Sequence, residues 1–125
     1  MTVEPGASAT TMHTVTEADT AIAMGSGDVA VLGTPRLIAW CEAATVLALA
    51  PSLDAAMTTV GYRIRVDHLA PTPVGADVEV RATVADVDGR QVTFDVSVQE
   101  GDTVAARGTI TRVVVDRQKF LSGLG

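Results

Sequence analysis

Cysteine is almost missing from this chain of 125 residues. The single Cys41 cannot close an intrachain disulfide, and no second Cys or His stands at a metal-ligand spacing from it. A disulfide scaffold and a thiolate metal centre are thereby excluded, and a reducing compartment is expected. Aromatic residues are also scarce, with Trp40, Tyr62, Phe94 and Phe120 forming the full set. Val, Ala, Leu and Ile must fill the core, and the abundance of β-branched Val favours strands. No apolar run can cross a bilayer: the longest, Leu37 to Ala50, is interrupted by Glu42 and falls short of about 20 residues. Met1 to Thr20 has neither a basic stretch nor an apolar core, so it does not read as a secretory signal. Basic residues are few and scattered in a chain of net charge −6, which leaves no electrostatic footprint for nucleic acid. The expectation is a cytoplasmic protein with no nucleic-acid or membrane partner.

What is present describes an ordinary globular chain, 47% apolar and 19% charged, read as one domain over residues 1–125. Thr10 to Glu17 alternates like a first strand. Ala18 to Gly33, rich in Gly, Ala and Asp without clear period, reads as a mobile loop or broken segment. Thr34-Pro35 then supplies a helix start, a hydroxyl cap followed by Pro at the first helical position. The helix is expected from Pro35 to about Ala50. Leu37, Ile38, Cys41, Ala44, Thr45 and Ala48 form its buried face, Pro51 ends it, and so few positions are polar that most of its sides should be covered. Four alternating segments follow: Met57–Asp67, Ala76–Val87, Gln91–Gln99 and Thr103–Val115. Turns separate them at Pro71-Thr72-Pro73, Asp88-Gly89 and Gly101-Asp102. These predict an antiparallel meander with one apolar face, for which the single long helix is the available cover. The fold class is α+β, an antiparallel sheet of about five strands around one helix.

Three residues stand out chemically. Glu42 is the only acid between Pro35 and Leu53 and sits among Trp40, Cys41, Ala43 and Ala44. A carboxylate in such surroundings is either a perturbed group with a specific partner or a residue on an exposed stripe of the helix, paired with Arg36 or a neighbouring strand. His68 closes the second predicted strand, where an imidazole is either solvated or poised for proton transfer. Thr34 is either the helix cap or a hydroxyl beside a helix N-terminus, whose free N–H groups suit a developing oxyanion. In regular helix Thr34 and Glu42 lie about 12 Å apart along the axis, so they cannot touch directly. His13 has no supporting context. The chain contains no Gly-x-Ser-x-Gly elbow, no His-Glu-x-x-His and no phosphate-binding Gly-Lys-Ser/Thr loop.

Thr34, Glu42 and His68, spaced by eight and twenty-six residues, resemble the catalytic set of the fluoroacetyl-CoA thioesterase family. Trp40-Cys41-Glu42 through Leu49-Ala50-Pro51, then Gly61, Gly108-Thr109, Arg112, Lys119 and Phe120, extend the likeness from about Thr14 to Phe120. The resemblance implies the hotdog fold and a homodimer whose sheets join side by side around an acyl-CoA channel. It implies thioester hydrolysis in which Glu42 and His68 activate a nucleophile or water and Thr34 contributes its hydroxyl to attack or positioning; no metal or cofactor is expected. Gly61 would allow close approach of the acyl group, and Arg112 would be an active-site or CoA-contacting cation. One segment departs from the family. Where its name enzyme carries an aromatic lid, Ala18 to Gly33 holds no Phe, Tyr or Trp, which points to a short or medium acyl group other than fluoroacetyl. A non-catalytic binder of acyl-CoA or a small apolar ligand is the alternative on the same scaffold.

Overall fold

The chain is described from a computed structural model covering residues 2–124. Five strands, β1 (Ser8–Thr14), β2 (Met57–His68), β3 (Asp77–Asp88), β4 (Gln91–Glu100) and β5 (Thr103–Asp116), form one antiparallel sheet in the order β1-β3-β4-β5-β2. Strict alternation builds its inner face. Val78, Val80, Ala82 and Val84 on β3 and Val92, Phe94, Val96 and Val98 on β4 are all buried, and the residues between them are largely solvent-facing. Gly89 and Gly101 take positive φ (61° and 57°) at the first position of two-residue turns, so the Asp88-Gly89 and Gly101-Asp102 signals both close hairpins.

The expected four-strand meander is only partly formed. β3, β4 and β5 follow one another, but β2 leaves the run and pairs with the far side of β5, while β1 takes the place beside β3. The eight residues between His68 and Asp77, with two prolines among them, are too long and too stiff for a tight hairpin and carry the chain across the end of the sheet. Both edges therefore belong to β1 and β2.

Helix α2 (Thr34–Leu49) lies across the inner face, burying Leu37, Cys41, Ala44, Thr45, Ala48 and Leu49. Small side chains at Ala44 and Ala48 let its backbone approach the sheet, where Phe94 and Ile110 fill the space between them. Ile38, expected in this face, is only partly buried, and the burial continues instead to Leu49. The helix is not covered on most sides: Ala39, Ala43, Val46 and Leu47 are exposed and form an apolar stripe, of which Val46 lines a cleft with Met57, Thr58 and Thr59 of β2.

The segment before α2, read from sequence as a mobile loop or broken segment, is broken into short turns and tied down as a strap. A 3₁₀ turn at Glu17–Asp19 leads into the single-turn helix α1 (Ala21–Met24), which ends on Gly25 in the left-handed conformation (φ 70°). Backbone bonds then tie the strap down: Ala21 N–H donates to Val31 C=O (2.9 Å), Leu32 N–H to Thr72 C=O (2.9 Å) and Gly33 N–H to Asp19 C=O (2.9 Å). Asp19 also holds Arg36 of α2 in an ion pair at 3.0 Å. These bonds satisfy backbone groups that a Gly- and Ala-rich stretch cannot protect with side chains.

Candidate active site

Thr34 opens α2 without capping it. Gly33 is the capping residue and Thr34 the first residue of the helix, so Pro35 occupies the second position and not the first. The hydroxyl is consequently free of the backbone. It meets His68 at the end of β2, with Thr34 Oγ1 2.7 Å from His68 Nδ1. The cap role and the site role therefore do not compete for one group. Burial pushes the His68 imidazole below its ordinary pKa, with the Ala70 backbone acting in the opposite sense, so the ring is neutral at physiological pH and able to accept a proton. Its other nitrogen, Nε2, is buried with no hydrogen-bond partner. When Nδ1 accepts from Thr34, Nε2 carries the ring proton and calls for an acceptor.

A cavity of about 310 Å³ opens on this pair. Ala21, Val29, Val31 and Leu32 of the strap form one wall and Leu69 to Pro71 the other, with Ser26 the single hydroxyl on the strap side. The strap supplies this wall because its bridges to Thr72 and Pro73 hold it against the β2–β3 connection. The only titratable side chain in the lining is His68 itself.

Glu42 lies elsewhere. Its carboxylate accepts from Arg112 on β5 (Nη1 to Oε2, 3.1 Å), and Arg112 further donates from Nε to Thr59 Oγ1 (2.8 Å) and from Nη2 to Thr59 C=O (3.1 Å). Arg112 is only 7% exposed, and these bonds satisfy a charge that the interior would otherwise reject. Arg112 thus faces inward beside Glu42, and Arg36, the local ion-pair partner considered for Glu42, is committed to Asp19. Gly61 completes the group: a Cβ there would stand 2.7 Å from Glu42 Oε2. Thr59, which holds Arg112 in place, carries no signal in the sequence, since one Thr among many on a strand is unremarkable.

The structure therefore gathers the five singled-out residues into two groups. Gly61 pairs with Arg112 and His68 with Ala106 along the β2–β5 ladder. At about 3.3 Å per residue, the two ends of this stretch lie roughly 20 Å apart on one chain. A bulge at Tyr62 between them leaves Gly61, Ile64, Val66 and His68 all on the inner face of the strand. Within one copy Glu42 cannot reach His68.

Two further side chains are accounted for by their surroundings. Cys41, buried beneath Glu42's turn of the helix, has its thiol pushed up to about 12, first by burial and then by the Glu42 charge, which makes it inert in the folded chain. His13 stacks flat on Trp40, ring centroids 4.3 Å apart and 8° from parallel, and joins β1 to α2. Among the described residues no group of three or more His, Cys, Asp or Glu side chains is placed to hold a metal ion, and no helix is long and apolar enough to cross a membrane.

Comparison with known proteins identifies the family and the fold. The family model for fluoroacetyl-CoA-specific thioesterase (FlK) matches residues 15–118. A fluoroacetyl-CoA thioesterase from Streptantibioticus cattleyicolor is 36% identical over 90 residues, which is 72% of this chain and 65% of that protein, just under two thirds of the relative's length. The solved structure of the fluoroacetyl-CoA thioesterase FlK superposes with a TM-score of 0.92 at 28% identity, covering 99% of this chain and 96% of that one. A hot-dog-like protein from Thermanaerovibrio acidaminovorans, 24% identical, superposes at 0.88 over 96% of this chain and 89% of its own, and bears on the fold alone.

Proposed function

Because the chain belongs to the fluoroacetyl-CoA-specific thioesterase family, we propose that it hydrolyses a short- or medium-chain acyl-CoA to the free acid and CoA. The observation that carries this reading is the 2.7 Å contact between Thr34 Oγ1 and the half-buried, neutral His68 at the mouth of an apolar cavity. A hydroxyl paired with an imidazole base is the arrangement that nucleophilic or water-mediated acyl transfer needs. His68 takes a proton as Thr34 Oγ1, or a water it positions, adds to the thioester carbonyl. The C–S bond then breaks, and the proton passes to the departing CoA sulfur. A water molecule supplies the oxygen of the acid.

Glu42 enters through a second copy. The free edge of β2 and the apolar stripe Ala39, Ala43, Val46 and Leu47 lie side by side, as a two-fold partner requires. Antiparallel pairing of β2 with β2 about an axis near Ile64 brings His68 of one copy beside Thr59 and Gly61 of the other. The Glu42 carboxylate there answers the unpartnered Nε2 and fixes the ring's tautomer, while Arg112 holds that carboxylate in place. The site is thus split between two chains. The acyl group is uncharged, and fluoroacetyl is not favoured, because the cavity wall is mostly aliphatic and offers no Phe, Tyr or Trp.

The test is release of free CoA from a panel of acyl-CoA thioesters. Turnover should fall by two orders of magnitude or more in Glu42→Ala and His68→Ala, about the range expected for loss of general acid–base catalysis. Unchanged turnover in both variants would sink the assignment. Ligand-induced stabilisation without any turnover in the unmodified protein would leave the binder in its place.

A further inference from the structure

A CoA thioester has two unlike arms on either side of its reacting carbonyl: an uncharged acyl group, and a pantetheine that ends in a nucleotide with several phosphate charges. The cavity at Thr34 and His68 holds no cation to receive phosphate. Beyond the Glu42–Arg112 group the surface is different. A cleft of about 430 Å³ starts at Val46, one turn past Glu42, and at Thr59, the residue that holds Arg112; Leu53, Met57 and Arg117 also line it. Met57 is shared with a second cleft of about 260 Å³, where Arg90, Lys119 and the ring of Phe120 come together.

Three of the chain's nine cations thus line a groove made of these two clefts, which meet at Met57, in a molecule of net charge −6. Among the described residues none of the three has an acidic side chain within ion-pair distance; the ion pairs present there are Arg36–Asp19 and Arg112–Glu42. The two acids that line the groove have their own duties. Asp54 Oδ1 accepts from Ala56 N–H at 3.2 Å, and Asp116 Oδ1 caps α3 (Arg117–Ser122) by accepting from Lys119 N–H at 3.0 Å. Three cations against two acids leave the groove positive by one charge. Phe120 is 45% exposed, an aromatic face turned to water with nothing on it.

We infer that Arg90, Arg117 and Lys119 bind the phosphates of CoA, with the Phe120 ring against the adenine, so that the pantetheine runs along the Val46–Met57 cleft and the acyl group points toward the Thr34–His68 cavity of the second copy. This assigns the direction in which the substrate lies and rests on the acyl-CoA reading above. Arginine and lysine suit this role because charge-assisted bonds to phosphate oxygens are the strong ones. They act locally against the unfavourable overall field.

The experiment compares two substrates that carry the same acyl group, an acyl-CoA and the acyl-pantetheine thioester that lacks every phosphate. In Arg90→Ala/Lys119→Ala and in Arg117→Ala, KM for the acyl-CoA should rise roughly ten- to a hundredfold. KM for the pantetheine thioester and kcat for both should stay within about twofold, because all three side chains are exposed and stand apart from the reacting groups. The rise should fade at high salt, where the unmodified protein also loses its preference for the phosphorylated substrate. An unchanged KM for acyl-CoA, or an equal rise for both substrates, overturns the inference. Calorimetric titration with free CoA and with pantetheine keeps the two proposals apart. If no thioester is hydrolysed, the catalytic reading fails, while a loss of CoA affinity in the same variants still supports this site and an unchanged affinity still removes it.

Discussion

At the scale of single residues the active-site geometry depends on absences of atoms as much as on functional groups. Gly61 has no Cβ where one would stand 2.7 Å from Glu42 Oε2, and the obstacle is the far end of a side chain and not backbone. Gly61→Ala should therefore fold with a midpoint close to the parent's, yet push the carboxylate a few tenths of an ångström out of its place while its bond to Arg112 persists. Thermal denaturation and turnover measured together should show stability changed by less than about 1 kcal/mol and turnover reduced roughly tenfold or more. His68 sets the acid limb of the pH profile. Burial lowers its pKa below the ordinary value of about 6.5, so the midpoint of the acid limb of kcat/KM should lie below that pH. The same shift acts on stability. An unfolded chain binds the His68 proton more readily than the folded one, so the contribution is present above about pH 6.5 and lost as pH falls through the folded value. His13 adds to it in the same direction, lowered by burial and opposed by Asp19. Urea midpoints at pH 5 and pH 7.5 should differ accordingly, and His13→Asn should narrow the gap. The sequence identified Glu42 as an anomaly because an acid among apolar neighbours is a local fact. Its partner Arg112 lies seventy positions away, and no local pattern joins the two.

At the scale of elements, legibility follows how each piece is stabilised. β3 and β4 were readable because their alternation of Val and polar residues is itself the cause of their burial on one face. The place of β2 was not, since its alternation fits either neighbour and the choice is made by the crossing between His68 and Asp77. The strap was missed for a third reason: its order comes from backbone bonds to Val31, Thr72 and Asp19, which composition does not register. That order makes it a fixed wall. Val29 on that wall is 56% exposed, so enlarging it is tolerable for folding and fills the cavity from its open side. Val29→Trp should leave the turnover of acetyl-CoA largely intact and depress that of longer acyl-CoA thioesters, read as a shift in relative kcat/KM across a chain-length series.

At the scale of the whole molecule, the separation of roughly 20 Å along β2 is decisive. A site assembled from two chains makes a prediction that a site within one chain cannot share. Mixing inactive Glu42→Ala with inactive His68→Ala, with subunit exchange, should restore about a quarter of the parent's activity, since half the dimers are mixed and each holds one intact site. Absence of recovery despite exchange would place both residues in the same chain's site. Light scattering should give twice the chain mass of 12.9 kDa, and an acidic residue in place of Ile64 on the free edge should return the protein to monomers and abolish turnover. The buried Cys41 carries a practical consequence for all of these measurements. With its thiol held at about 12, the folded protein is silent to reagents that colour free thiols, so such a reagent counts released CoA without a background from the enzyme. Once the chain opens, the same reagent finds one sulfur per molecule, and a single titration then distinguishes an active solution from a denatured one.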